Sequence, residues 1–234
     1  MNQLTLVCLS DTHSKFVDVQ NGDVLIHCGD FTNWGHEQEI KDFISWLKAQ
    51  PHKHKIVVPG NHDITLDIEK YPQLKKKFHR YSNFNPEQLL QDLKDCCHLL
   101  INSSVTIEGF KFWGSPYSQE YCDWAFQIEG SSQQFWDNIE EGSDVIITHG
   151  PPYFYGDKIS NGSRVGDKYL LEKVKKIRPK LHVFGGIHES YGGYEEDGGY
   201  RDDPIKFVNC SIMDEKFKIQ NKPYVYHLTR INEI

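Results

Sequence analysis

Residues 4–13 read LTLVCLSDTH, a short apolar run that ends abruptly in polar residues. The run Leu4–Leu9 is nearly continuous and rich in aliphatic side chains, which predicts a β-strand buried on both faces. Asp11 and His13 follow it two residues apart, so on an extended stretch both side chains would face the same side. A carboxylate and an imidazole just past a strand end indicate a ligand-binding position, because ligands of α/β folds collect there.

The same arrangement, an apolar run followed at once by Asp, Asn or His, recurs four more times along the chain. The further runs, each with the residues after it, are Val24–His27 before Cys28-Gly29-Asp30, Ile56–Val58 before Gly60-Asn61-His62-Asp63, Val145–Ile147 before Thr148-His149-Gly150, and Leu181–Phe184 before Gly185-Gly186-Ile187-His188. Taken singly, each polar residue could equally be a turn or capping residue. The coincidence of five strand ends favours one shared site.

The residue types at these strand ends suit two divalent metal ions. Asp30 could bridge both ions because a carboxylate has two oxygens, Asn61 offers an amide oxygen, and His149 and His188 offer imidazole nitrogens. Mixed nitrogen and oxygen ligation without thiolate suits Mn, Fe, Zn or Ni better than Ca or Mg. Two such ions about 3.5–4 Å apart can activate water and stabilise a phosphoryl transition state.

The remaining sequence predicts an α/β fold with mixed sheets. Apolar residues at three- and four-residue spacing predict helices, and β-rich runs around Glu108-Gly109 predict a hairpin. The predicted helices are Glu37–Ala49, Gln133–Ile139 and Gly166–Ile177, and the further strands are Val105–Ile107, Phe110–Trp113, Ile205–Ser211 and Tyr224–Leu228. Lys75–Lys77 is predicted to be a solvated charge run. With no linker-like stretch between these elements, residues 1–234 are expected to form a single domain.

Composition and charge narrow the classes of function. The net charge of −7 argues against a nucleic-acid polymer or an anionic membrane as partner, but not against a small phosphorylated ligand held by metals. The longest apolar runs are too short to span a bilayer, and the first residues lack the basic start of a secretory signal. Six cysteines without a C-x-x-C pair favour a reducing, cytoplasmic location. The sequence leaves the oligomeric state open.

In this order, the motifs Asp11-Thr12-His13, Gly29-Asp30, Gly60-Asn61-His62-Asp63, Thr148-His149-Gly150 and the closing Gly-x-x-His resemble those of the calcineurin-like metallophosphoesterases. The resemblance runs from residue 11 to residue 188. It implies a four-layer α/β sandwich, with two mixed β-sheets flanked by helices and a dinuclear site at the strand ends. It also implies an enzyme that hydrolyses phosphate esters by means of a metal-bound hydroxide.

Residue roles follow from the same resemblance. It implies that Asp11, His13 and His188 bind the first metal, that Asp30 bridges, and that Asn61 and His149 bind the second. It further implies that His62 contacts the phosphate and protonates the leaving oxygen, with Asp63 orienting it. Mn²⁺ is the expected ion at both sites, with Fe, Zn and Ni as alternatives.

Gly186 departs from the family pattern. The fifth motif of the family is usually Gly-His-x-His, and Gly186 stands where its first histidine completes the second metal site. The second ion should therefore be weakly held, and the substrate, which the resemblance places at Asn61, His62 and Gly186, gains room. A glycine also lets a ligand approach the backbone closely.

A closer resemblance links this glycine to one branch of the family, the metallophosphoesterase domain-containing proteins. The stretches that carry it are residues 178–189, Gly114-Ser115-Pro116-Tyr117 and Arg164-Val165-Gly166. Members of that branch are linked to weak metal-dependent phosphodiesterase activity and to binding of purine nucleoside monophosphates. The resemblance implies a low-turnover phosphodiesterase acting on small phosphodiesters such as cyclic nucleotides. The alternative is an attenuated regulatory protein that binds metal and a nucleotide such as AMP or GMP.

Overall fold

The first of two β-sheets is built around the strand that opens the chain. The structure, a computed structural model, describes residues 2–196 and 204–230. In spatial order the first sheet contains β11 (Tyr224–Arg230), β1 (Asn2–Leu9), β2 (Val24–His27), β3 (His54–Val57) and β4 (His98–Leu99). β1 to β4 are parallel, and β11 lies antiparallel to β1 along the edge.

The second sheet is mixed in the same way. Its spatial order is β5 (Ser103–Ile107), β6 (Phe110–Ser115), β7 (Val145–Thr148), β8 (Leu181–Phe184), β10 (Ile205–Asn209) and β9 (Gly192–Glu196). The central four strands are parallel, whereas β5 and β9 lie antiparallel to their neighbours at the two edges. The predicted hairpin around Glu108-Gly109 is confirmed as β5 and β6.

Alternation along the strands places a helix layer outside each sheet. In β1, Leu4, Leu6 and Cys8 enter a core shared with β7 and β8, and Val7 and Leu9 face the opposite way. That is the two-residue period of a strand buried on both faces. The core between the sheets and the two outer cores produce four layers, so the predicted sandwich of two mixed sheets flanked by helices is confirmed.

The helices cover the outer faces of the sheets. Against the first sheet lie α1 (Glu37–Ala49), α2 (Tyr71–Phe78) and α3 (Pro86–Lys94), and against the second lie α4 (Ser132–Trp136) and α5 (Lys168–Ile177). α1 has the predicted bounds because Ile40, Phe43, Ile44 and Leu47 form one buried stripe. α5 begins two residues later than predicted, at the point where Asp167 caps it. α4 ends before the predicted Ile139, and a turn follows it.

Two helices escaped prediction because each contains few apolar residues. α2 buries only Tyr71 and Leu74, and its last turn is Lys75–Lys77 with Phe78. The predicted charge run Lys75–Lys77 thus ends a helix, where positive charge is favoured by the helix dipole, and Lys76 and Lys77 are exposed. α3 buries Leu89 and Leu93, which are too few to stand out from the surrounding polar residues.

The register of the strands brings the predicted site residues to one edge. Leu9, His27 and Val57 are paired across β1, β2 and β3, and Ile147 pairs with Val183 across β7 and β8. A β-bridge between Ser10 and Ser211 joins the two sheets at this same end. The single domain over residues 1–234 stays a prediction. Within residues 2–196 and 204–230, no helix is long and apolar enough to cross a membrane.

Candidate metal centre

The loops after the strands are fastened to one another by backbone hydrogen bonds. Asp11 N–H donates to the carbonyl of Gly29 at 2.9 Å, and His13 N–H donates to that of Asp30 at 3.0 Å. Gly185 N–H donates to the carbonyl of His149 at 3.0 Å. The loops after β1 and β2 are therefore joined to each other, as are the loops after β7 and β8.

The backbone at the site is left-handed, not extended. Asp11, His13 and Asp30 have φ angles of 57°, 41° and 55°. The interpretation that Asp11 and His13 face the same side of an extended stretch is therefore wrong, because the chain turns sharply at both residues. Non-glycine residues in this region cost about 1–2 kcal/mol each, and such strain is concentrated at functional sites.

Two groups of acidic and imidazole side chains result from these turns. Asp11, His13 and His188 form one group, and Asp11, Asp30 and His149 form the other, with ligand atoms within 4.8 Å of one another in each. His188 Nε2 lies 3.4 Å from Asp11 Oδ1. Asp30 Oδ2 lies 3.4 Å from His149 Nε2 and 4.0 Å from His13 Nε2, so one carboxylate oxygen reaches both groups.

Asn61 completes the set of predicted ligands. Its Oδ1 lies 3.0 Å from His149 Nε2, on the side of the second group. The structure thus brings together all six predicted ligands, Asp11, His13, Asp30, Asn61, His149 and His188. It adds that Asp11 stands within reach of both groups, which the sequence did not indicate. The assignment of individual ligands to two ions stays a prediction.

The imidazole rings are oriented as metal ligands usually are. In His13, His149 and His188, the Nδ1 atom lies at hydrogen-bond distance from a backbone carbonyl. A carbonyl can only accept, so Nδ1 carries the proton and Nε2 faces the centre. The pairs are His13 with Thr32 O at 3.2 Å, His149 with Cys28 O at 2.8 Å, and His188 with Asp214 O at 3.0 Å. Within the described residues, the buried Nε2 of His13 has no hydrogen-bond partner. This donor set fits divalent cations.

The two carboxyl groups are ionised although both are buried. Burial alone raises the pKa of Asp11, but the hydrogen bond and charge of His188 outweigh it and lower the pKa to about 2. Burial likewise raises the pKa of Asp30, and the charges of His149 and then His62 lower it well below its usual range. The centre therefore holds two negative charges at neutral pH, which favours a cation.

The three imidazoles respond differently to the same surroundings. Burial lowers the pKa of His13 to about 4, so this ring is neutral at pH 7. For His149, the charge and hydrogen bond of Asp30 overcome the effect of burial and raise the pKa to about 10. Asp11 does the same for His188 and raises its pKa to about 9. A bound cation would take the place of these two protons.

His62 lies beside the centre, and the structure corrects the prediction that Asp63 orients its ring. His62 Nδ1 donates to the carbonyl of Asn33 at 2.7 Å, which leaves Nε2 available to a substrate. The carboxylate of Asp63 instead accepts from the N–H groups of Gly60, Asp30 and Thr32 at 2.7–3.0 Å. Asp63 therefore fastens the loops of the site, because its oxygens are already occupied by backbone donors.

Gly186 adjoins both the metal centre and a cavity of about 680 Å³. Its φ is +76°, and its N–H donates to Asp11 Oδ2 at 3.0 Å. A Cβ added there would lie 3.5 Å from His149 Nε2, so a side chain at this position would start beside the second group. The cavity is also lined by Asn61, His149, Tyr117, Ile187 and Arg164. The second group of candidate ligands therefore borders this cavity.

Sequence reasoning missed several side chains that touch the imidazoles. Phe217 packs its edge against the rings of His13 and His188, at centroid distances of 4.9 and 5.2 Å. Trp124 lies on the ring of His62 at 4.0 Å. Both come from loops far from any motif, so nothing local in the sequence points to them.

Comparisons with known proteins agree with this geometry. The model of a family described as calcineurin-like phosphoesterase matches residues 4–190. Metallophosphoesterase domain-containing protein 1 of Homo sapiens is 39% identical over 234 residues, covering 95% of this chain and 70% of that protein, and its Mus musculus counterpart matches equally well. The crystal structure of TT1561 of Thermus thermophilus covers 91% of this chain and 90% of its own at a TM-score of 0.53 and 12% identity, which shows the fold alone. The chain therefore belongs to the calcineurin-like phosphoesterases, the metal-dependent hydrolases of phosphoester bonds.

Proposed function

We propose that the protein is a low-turnover phosphodiesterase that uses two divalent ions, Mn²⁺ foremost, to hydrolyse small phosphodiesters such as cyclic nucleotides. The observation that carries the proposal is the position of the two Asp/His groups, which share Asp11, with His149 of the second group lining the cavity beside Gly186. When bound, two such ions would supply a water of lowered pKa and positive charge for the phosphoryl oxygens. Asp11, His13, Asp30, Asn61, His149 and His188 would hold them.

His62 is the proposed proton donor for the leaving oxygen. Its Nδ1–H is engaged by the carbonyl of Asn33, so Nε2 can carry a second proton toward the substrate. Its backbone N–H donates to Asp30 Oδ1 at 2.8 Å, which couples the position of His62 to the metal centre. An alkoxide is a poor leaving group until it is protonated, so this proton matters most for unactivated esters.

The cavity supports a diester rather than a monoester as substrate. A diester carries a second organic group that must be housed while the phosphorus stands at the metals. The space beside Gly186 is lined by Tyr117 and Ile187 as well as Arg164 and Asn161, and so offers apolar and polar surface together. Asn61 and His62 are the proposed contacts of the phosphate, and Gly186 that of the organic group.

Low turnover follows from Gly186. The second group has Asp11, Asp30 and His149, with Asn61 beside it, but gains no side chain from Gly186, so its ion has fewer protein ligands than the family pattern provides. A weakly held ion is absent from part of the enzyme at cellular metal concentrations. The second candidate function, a regulatory protein that binds metal and AMP or GMP with little turnover, rests on this same glycine.

A small soluble partner and a cytoplasmic location complete the proposal. The net charge of −7 disfavours a nucleic-acid polymer or an anionic membrane surface. All six cysteines lie in the described part of the chain and are free thiols, which suits a reducing compartment.

The test is a rate assay titrated with metal. Wild-type protein stripped of metal is supplied with Mn²⁺, Fe²⁺, Zn²⁺ or Ni²⁺ and assayed on bis(p-nitrophenyl) phosphate, p-nitrophenyl phosphate, and 2′,3′- and 3′,5′-cyclic nucleotides. We expect metal-dependent hydrolysis of the diesters in preference to the monoester. Asp30→Ala should lose the metal-dependent rate, and His62→Ala should lose roughly 10²-fold on the unactivated substrates.

Two outcomes decide between the candidates. Metal-dependent turnover above that of Asp30→Ala supports the phosphodiesterase. Binding of metal and of AMP or GMP, without any rate above that of Asp30→Ala on all four substrates, would instead support the regulatory protein. A preference for p-nitrophenyl phosphate would contradict the role given to the cavity.

A further inference from the structure

Trp124 covers one face of the His62 ring. The two ring centroids are 4.0 Å apart with an angle of 34° between the planes, which is direct ring-on-ring contact. Trp124 belongs to the segment between β6 and α4, and the next residue, Ala125, donates its N–H to the carbonyl of Asn61 at 3.3 Å. The segment is thus attached to the loop that carries His62.

Trp124 is itself supported by two other aromatic rings. Trp34 stacks on it at 5.3 Å with an angle of 24°, and Phe78 of α2 packs at 5.0 Å. These contacts come from separate parts of the chain, the loop after Asp30 and the last turn of α2. A ring held by two neighbours presents a fixed face to His62.

The hydrogen bond of His62 alone leaves its ring plane undetermined. One N–H···O bond from Nδ1 to Asn33 sets the direction of a single ring atom, and the ring can still turn about that bond. The ring of His13, at 4.8 Å and 87°, and the ring of Trp124, at 4.0 Å and 34°, both contact the His62 ring and limit its rotation. These contacts together determine where Nε2 points.

We infer that Trp124 is a positioning residue that fixes the plane of His62 so that Nε2 faces the leaving oxygen of the substrate. The inference rests on the proposed function, because it takes His62 as the proton donor. It goes beyond that function by assigning a role to a tryptophan that contacts the proton donor through its ring face. Geometric control of a proton donor is worth a large factor in rate, because proton transfer requires close and aligned atoms.

The test compares two substrates that differ in their need for a proton. Bis(p-nitrophenyl) phosphate releases a stable phenolate and needs little protonation, whereas diphenyl phosphate needs more. Trp124→Leu should reduce kcat roughly tenfold on diphenyl phosphate and much less on bis(p-nitrophenyl) phosphate, with KM unchanged. Trp124→Phe, which retains a flat ring, should retain most of the rate.

A double-mutant cycle separates positioning from packing. If Trp124 acts through His62, the variant combining His62→Ala with Trp124→Leu should be no slower on diphenyl phosphate than His62→Ala alone. The matched control is Phe16→Leu, which removes an aromatic ring that stacks on Trp46 of α1 and should spare the ratio of the two rates. Equal losses on both substrates, or additive losses in the cycle, would overturn the inference.

A second measurement does not depend on turnover. In ¹⁵N NMR spectra, the Nδ1–H of His62 should exchange slowly in wild type and in Trp124→Phe, and quickly in Trp124→Leu. If wild type shows no metal-dependent rate, the proposed function fails, and the exchange rates alone still decide whether Trp124 orders the ring. Unchanged exchange in Trp124→Leu would count against the inference. Should that variant fail to fold, Trp124→Met serves the same comparison.

Discussion

At the scale of single residues, Gly186 stands beside the second group without a side chain that could bind metal. A side chain there would begin 3.5 Å from His149 Nε2, so a ligand could be added to the second group. The backbone opposes this, because φ is +76° and a residue with a Cβ costs about 1–2 kcal/mol in the left-handed region. Glycine at this position therefore avoids backbone strain, but it provides no side-chain ligand for the second group.

Gly186→His should tighten the second metal and raise the rate at limiting metal roughly tenfold, an effect of about 1.4 kcal/mol. The measurement is metal titration by isothermal calorimetry together with the rate on bis(p-nitrophenyl) phosphate. Gly186→Ala is the matched control, because it introduces the same backbone strain without an imidazole and should gain neither affinity nor rate. If Gly186→His behaves like Gly186→Ala, the missing-ligand explanation is wrong.

At the scale of elements, Asp167 fastens two helices over the outer face of the second sheet. It caps α5, its Oδ1 accepting from the N–H groups of Tyr169 and Leu170 at 2.8 and 3.1 Å. Its Oδ2 accepts from Trp136 Nε1 of α4 at 2.9 Å, and the residue is 3% exposed. α5 carries the loop that leads to β8 and so to Gly186 and His188.

Asp167→Ala should destabilise the fold by about 2.5–4 kcal/mol. The lost cap accounts for about 1 kcal/mol, and the buried indole N–H left without its charged partner accounts for about 1.5–3 kcal/mol. The measurement is urea unfolding followed by circular dichroism. Asp167→Asn, which can still cap, should lose less.

The matched control for this prediction is Asn85→Ala. Asn85 caps α3 by accepting from Gln88 N–H at 3.1 Å, but it is exposed and lies at the start of one helix alone. Its removal should cost about 1 kcal/mol. Equal losses in Asp167→Ala and Asn85→Ala would show that the contact with Trp136 adds nothing.

At the scale of the whole molecule, the metal centre joins the two sheets. Asp11, Asp30 and Asn61 follow strands of the first sheet, and His149 and His188 follow strands of the second. Without metal, the carboxylates of the first sheet hold protonated imidazoles of the second, because the pKa of His149 is about 10 and that of His188 about 9. Without metal, these ion pairs hold the two sheets together at this end; with metal bound, the shared cation would do so.

Metal binding at pH 7 should therefore release protons. Both raised pKa values lie above 7, so these imidazoles carry protons that the cation must displace, and affinity should rise with pH up to about 10, more steeply below about 9, where both rings are protonated. Each displaced proton contributes roughly a tenfold gain in affinity per pH unit. Calorimetry in buffers of different ionisation enthalpy counts the protons directly.

Two variants check the source of these protons. His188→Gln should release one proton fewer than wild type, whereas His98→Gln, on β4 outside the centre, should leave the count unchanged. Binding that releases no proton from wild type at pH 7 would show that His149 and His188 are not the ligands displaced.

The sequence by itself determined an α/β fold with mixed sheets and the residues that gather at the site, and the family resemblance implied the four layers. The reason is local, because the apolar run Leu4–Leu9 and the polar residues after each strand occupy consecutive positions. Helices with a full apolar stripe, such as Glu37–Ala49, were predictable on the same ground. Helices that bury only two residues, α2 and α3, were not, because their stability depends on the sheet they cover.

The tertiary structure alone decided how the site residues are held. The left-handed turns at Asp11 and Asp30, the carbonyl of Asn33 under His62, and the ring of Trp124 on its face all depend on contacts between segments far apart in the chain. Sequence spacing suggested an extended stretch at Asp11 and His13, and the family resemblance suggested an orienting Asp63; both interpretations were wrong. Local patterns specify which side chains reach the strand ends, but only packing between distant loops specifies the directions in which they point.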